Sequence, residues 1–235
     1  MQKTILLVLF YGSLTTALAQ KTELKVALNA NLFSFSGKSA AGNSFIIFNN
    51  QSAPAYTNNP YGSKNGFGYG LSGMIQRVTK GNFIIGIGLG YERAGSKLTI
   101  SSDSLMIYKG NTRLNYDFIN LQPYIGYRII AGKVNFDLTA GIETGYCLKA
   151  TEKGDATNST GAKYTTTRDR KTIKTDVRPY GQLAATYKNA GVFVGYAYGL
   201  SNYKSGYIGG TNEAYARLLR FGITYQVKQW QRKGK

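Results

Sequence analysis

Histidine is absent from this 235-residue chain, cysteine occurs once and proline four times. Without histidine the commonest general base and metal ligand is gone. A lone cysteine, Cys147, can neither close an internal disulfide nor build a thiolate metal centre. A Ser–Lys or Asp–Asp device stays open, but no spacing points to one, and the chain reads as a non-enzyme that holds no cofactor and no metal. Acids are scarce as well: 11 Asp and Glu face 29 Lys and Arg, a net charge of +18. That excess invites a nucleic-acid reading, which would need a compact basic surface interleaved with stacking aromatics. The 19 tyrosines are committed to a different pattern, and nucleic acid is set aside. Also missing is any apolar run of the ~20 residues that a membrane helix requires. The opening residues come nearest: MQK, then ILLVLFYGSL, then a small-x-small site at Ala17–Ala19. These describe a secretory leader over residues 1–19, with the mature chain starting at Gln20.

What the sequence has in abundance is a period of two. In KVNFDLTAGIETGYCLK (133–149), Val134, Phe136, Leu138, Ala140, Ile142, Tyr146 and Leu148 alternate with Asn135, Asp137, Thr139, Gly141, Glu143, Gly145 and Cys147. Such alternation marks a strand with two unlike faces. The same pattern recurs at 24–35, 66–77, 83–93, 119–129, 175–187, 192–200 and 215–227, giving eight strands. Tight glycine-containing turns (VTKGN, IAGK, KNAG) join strands 2–3, 4–5 and 6–7, whereas 36–65, 94–113, 150–174 and 201–214 are long and polar. Short turns at one end and long loops at the other are the habit of outer-membrane barrels. Side-chain size gives the orientation. An eight-stranded barrel has a lumen just wide enough for side chains to fill, which suits the face of Gly86, Gly88 and Gly90. The opposite face, bulky and apolar, suits hydrocarbon. Aromatics gather at both strand ends: Phe67, Tyr69, Tyr91, Tyr146 and Tyr215 towards the loops, and Phe83, Tyr127, Phe136, Tyr187 and Tyr225 towards the turns, as two interfacial girdles. The expected fold is an all-β, eight-stranded antiparallel up-and-down transmembrane barrel over residues 20–235, in an outer membrane.

GFGYGLSGM (66–74), YDFINLQPYIGYRI (116–129) with its mid-strand proline, AGIETGYCLKA (140–150), DVRPYGQLAATYKNAGVFVGYAYGLSNY (176–203) and the closing RLLRFGITYQV (217–227) resemble the outer-membrane β-barrel family of PorT-like and OmpX-like proteins. The resemblance covers nearly all of the mature chain. It implies architecture rather than activity, with a PorT-like secretion accessory as one role. Such barrels end on an aromatic residue of the last strand, here Tyr225 or Trp230.

Several groups invite a functional reading. On the lumen face lie Glu92, Asp137, Glu143 and Asp176 with Arg128, Arg178 and Arg220, expected to pair because an isolated buried charge is costly. They form either a structural plug or a gated ion path. Gly68, Gly70 and Gly73 match a dinucleotide fingerprint, but no helix follows to hold phosphate, and lumen packing is the expected reason for them. Arg168, Arg170, Lys171 and Lys174, in a basic loop, are the candidates for contact with lipid phosphate and lipopolysaccharide. The 94–113 hairpin is expected to project above the membrane, with a bulge near Phe118–Ile119 at the rim. The function that fits is a structural or interaction barrel working through its outer loops, with protein partners at the loops or at the turn end. A secretion accessory and a narrow solute conduit are the alternatives.

Overall fold

A computed structural model describes residues 19–47, 55–101, 108–206 and 212–231. The expected leader therefore lies outside the described residues, apart from Ala19. Twelve strands are present: β1 (Ala19–Ser36), β2 (Asn43–Ser44), β3 (Ile46–Ile47), β4 (Tyr56–Thr57), β5 (Lys64–Thr79), β6 (Phe83–Ile100), β7 (Tyr108–Ala131), β8 (Val134–Asn158), β9 (Lys163–Asp169), β10 (Thr175–Tyr187), β11 (Ala190–Tyr198) and β12 (Tyr215–Gln231). Eight of them, β1, β5, β6, β7, β8, β10, β11 and β12, form a closed antiparallel ring in that order, with β12 returning to β1. Closure leaves the ring itself no unpaired edge. The last strand runs past Tyr225, so that Trp230 still pairs with Thr22.

The outward face is apolar between the two aromatic girdles. Leu28, Ile87, Leu121, Ile125, Leu138, Ile142, Val192 and Ile223 are all exposed on it, the arrangement that hydrocarbon stabilises and water does not. Phe83, Tyr127, Phe136, Tyr187 and Tyr225 ring the turn end, joined by Trp230, and Phe67, Tyr69 and Tyr146 stand exposed nearer the loops. Tyr91 is only half-exposed, because its hydroxyl donates to Asp117 at 2.7 Å.

The 94–113 segment projects as expected, with β6 and β7 paired beyond the rim. The alternation did not suggest that β8 continues with them, that β9 joins β8 or that β2 adds in parallel to β6. The anticipated bulge is present, since pairing slips between Asp117 and Phe118, but the extra residue is Leu148 on β8. A one-residue slip exchanges the two faces of a strand. Above it Glu152 points in and Lys153 points out. Gly73 corrects the lumen-packing account of the glycine triplet. Gly68 and Gly70 are buried in the lumen, whereas Gly73 is exposed with nothing within 4 Å of its missing Cβ.

Candidate functional site

The lumen is filled at three successive levels. Nearest the turns, Arg128 grips two carboxylates at once. Its Nη1 and Nη2 donate to Glu23 at 2.6 and 2.9 Å, and its Nε and Nη2 donate to Asp137 at 2.6 and 2.7 Å. Lys25 Nζ lies 3.2 Å from Asp137 and 3.3 Å from Glu23, and the Gln76 amide donates to Glu23 at 2.9 Å. Lys21, at the edge of the network, adds a third cation 3.3 Å from Glu23, so both buried carboxylates are fully compensated. Bidentate guanidinium–carboxylate pairing is the geometry that best offsets desolvation.

The second network lies closer to the loops. Arg220 donates to both oxygens of Glu92 at 2.8 and 2.6 Å and to Glu143 at 2.8 Å. Arg178 donates to Glu143 and to Asp176, both at 2.7 Å, and its guanidinium lies 4.4 Å over the Phe118 ring. Three acids face two arginines, and the remaining negative charge is met by neutral donors. Asn31 and Asn120 donate to Glu92 at 3.1 and 2.9 Å, Gln122 donates to Glu143, and Tyr203 donates to Asp176 at 2.7 Å. Between the networks lies a cavity of about 50 Å³ lined in part by Lys25, Gln76, Glu92, Tyr124, Tyr180 and Arg220. That is room for a water or two rather than for a solute.

The third level is aromatic. Phe33, Phe35, Tyr61, Tyr116, Phe118 and Tyr203 are buried together at the mouth, with Cys147 among them. Phe35 meets the rings of Phe33, Tyr61 and Tyr203 edge-on at centroid distances of 5.0–5.2 Å, a favoured aromatic geometry. Tyr61 donates to the Tyr203 carbonyl at 3.1 Å and ties the first long loop to the last. Burial, and next the Asp176 carboxylate, push the Tyr203 phenol well above its ordinary pKa.

All seven residues expected in the lumen are there, divided between two networks. Glu23 and Lys25 were missed, although they share parity with Asn29 and Asn31 on β1. The aromatic level was missed too, because Phe33 and Phe35 look like lipid-facing residues until that parity is followed.

Outside the lumen the basic loop divides. Arg170 donates through Nε to Glu152, a carboxylate with 0% exposure, and also to the Thr57 carbonyl. Glu152 accepts the Thr57 N–H at 2.8 Å. This clamp pins the first loop to the projecting sheet over an apolar patch of Ile46, Leu98, Ile100 and Ala156. Arg170 is therefore engaged in structure rather than free at the surface. Arg168 lies 4.3 Å over the Tyr56 ring, while Lys171 and Lys174 are exposed.

No protein-family model matches the chain, and neither does any curated protein. Among solved structures it is similar in outline to Neisserial surface protein A (13% identity over 88% of this chain and 98% of that one, TM-score 0.39). It is similar also to Ail, the attachment invasion locus protein of Yersinia pestis, in complex with a heparin analogue (10%, 90% and 99%, TM-score 0.34). A third is the outer membrane protease OmpT from Escherichia coli (12%, 88% and 96%, TM-score 0.34).

Proposed function

We propose that this chain is a sealed, non-enzymatic barrel of an outer membrane, a pedestal whose product is the ordered surface at its loop end. The observation that carries this reading is the coincidence of a lumen filled at three levels with a projecting sheet clamped in place by Glu152 and Arg170. A conduit gains nothing from an aromatic seal, whereas a display platform gains rigidity from every level. The non-enzymatic part is supported by the commitment of Glu23, Glu92, Asp137, Glu143 and Asp176 to cationic partners, which leaves none of them to act as a free acid or base.

The test is electrical and then chemical. In planar bilayers the purified protein gives no steady current, and reproducible conductance steps would refute the sealed lumen. Photo-crosslinkers at Lys163 of β9 and at Lys188 in the turn beyond β10 then locate the partner in intact cells. Capture through Lys163 supports outward display. Capture through Lys188 alone would replace it with a secretion accessory engaged at the turn end, the role that likeness to PorT-like proteins implies.

A further inference from the structure

Along the outward face of the projecting sheet, four basic residues stand abreast on four consecutive strands. Lys64 pairs with Lys97, Lys97 with Arg113, and Arg113 with Lys153. Like charges directly opposite one another destabilise a sheet, and here that contact is made three times in succession. Among the described residues none of the four has a carboxylate within ion-pair distance. Lys64 donates to the Thr99 hydroxyl at 2.5 Å, and the buried Nε of Arg113 has no hydrogen-bond partner among the described residues. The rest of the sheet is not built this way. Two outward-facing rows closer to the membrane, Arg93 lies 3.8 Å from Asp117 and Lys149 lies 3.4 Å from Asp169. Burial, and next the neighbouring Arg93, lower the pKa of the Arg113 guanidinium, as expected for a cation in want of a counter-ion.

Lys97, Arg113 and Lys153 line a groove of about 380 Å³ together with Asn111, Asp155 and three threonines, Thr165, Thr166 and Thr167. Lys97 is four residues beyond Arg93 on β6, about 10 Å higher at ~3.4 Å per residue and a tilt of about 45°. The polar layer of one leaflet is about 5–7 Å deep, and a row that crosses strands tilted by about 45° slants through such a layer rather than lying at one level. Three strand spacings make the row about 14 Å long, enough to meet more than one phosphate. We propose that Lys64, Lys97, Arg113 and Lys153 form a binding strip for the phosphates of outer-leaflet glycolipid. The strip rests on the reading of the chain as an outer-membrane barrel, and it is distinct from the loop cations Arg168, Arg170, Lys171 and Lys174.

The test uses full-length protein in nanodiscs carrying either bisphosphorylated lipid A or its dephosphorylated form, with retained lipid counted by native mass spectrometry after detergent extraction. Each basic group near an anionic surface contributes about five-fold, so the wild type retains the bisphosphorylated form at least about ten-fold better. K64Q/K97Q/R113Q/K153Q loses that preference, R113Q alone weakens it by about three- to five-fold, and K171Q/K174Q keeps it. Millimolar inorganic phosphate leaves the bound lipid in place. Equal retention by the quadruple variant, loss in K171Q/K174Q, or displacement by inorganic phosphate would each overturn the strip. The mobility difference between unheated and boiled samples shows separately whether each variant is a folded barrel. A wild type that shows no such difference defeats the membrane reading instead.

Discussion

Arg220→Met separates a structural plug from an ion path. The wild-type network holds Glu92, Glu143 and Asp176 against Arg178 and Arg220, a net charge of −3 + 2 = −1. The variant leaves −3 + 1 = −2 in a lumen where Arg220 had satisfied both Glu92 oxygens and one of Glu143. Removing one partner from a buried pair costs about 3–5 kcal/mol, a shift of a hundred-fold or more in the folding equilibrium. Adding Glu92→Gln restores −2 + 1 = −1, so the double variant recovers about 1 kcal/mol or more relative to the sum of the single changes. Urea unfolding in vesicles measures both, read through Trp230, the one tryptophan, which is 43% exposed on the outer face. Bilayer current stays at background in the variant, because the aromatic level of Phe33, Phe35, Tyr116, Phe118 and Tyr203 is untouched. Wild-type stability together with a new cation-selective current would refute the plug.

Other consequences are simpler to check. At Gly126 an added Cβ would lie 2.3 Å from the Leu138 carbonyl oxygen of the adjacent strand. Gly126→Ala should therefore lose about 1–3 kcal/mol in the same urea assay, whereas Gly73→Ala gains about 0.5–1 kcal/mol. Lys188 carries φ of 54° in its turn, where an L side chain costs about 1–2 kcal/mol. Relief of that strain outweighs the extra freedom of glycine in the unfolded chain, so melting temperatures rank Lys188→Gly above wild type and wild type above Lys188→Val. Cys147, at 2% exposure inside the mouth cluster, stays unlabelled by a polar maleimide until the barrel is denatured.

The parts of this molecule that sequence made legible are those governed by local period. Ile87 and Leu138 face outward and Glu143 inward because alternate residues of one strand point apart, a rule needing no knowledge of neighbours. Two things escape such a rule. The first is parity beyond a bulge: Leu148 shifts the frame, so Glu152 is the buried centre of a clamp where unbroken alternation would put it on the outer face. The second is the choice of partner across the ring. Arg128 and Asp137 sit nine positions apart in a hairpin and could be paired on paper, but Arg220 and Glu92 are separated by 128 positions. Which carboxylate meets which guanidinium depends on how the cylinder is rolled. The loop cations illustrate the same limit, since Arg170 differs from Lys171 only in what happens to lie beneath it.

That long-range wiring bears on how the protein reaches its membrane. Arg128 and Asp137 can find each other as soon as one hairpin forms, yet Glu23 must arrive from a strand over a hundred positions away. A half-rolled sheet entering hydrocarbon would carry Glu92 and Arg220 without one another, a penalty of several kcal/mol for each, and would leave Glu23 only the lysines of its own strand. Insertion and circularisation are thus thermodynamically coupled: the polypeptide gains a foothold in the bilayer only as its first and last strands meet.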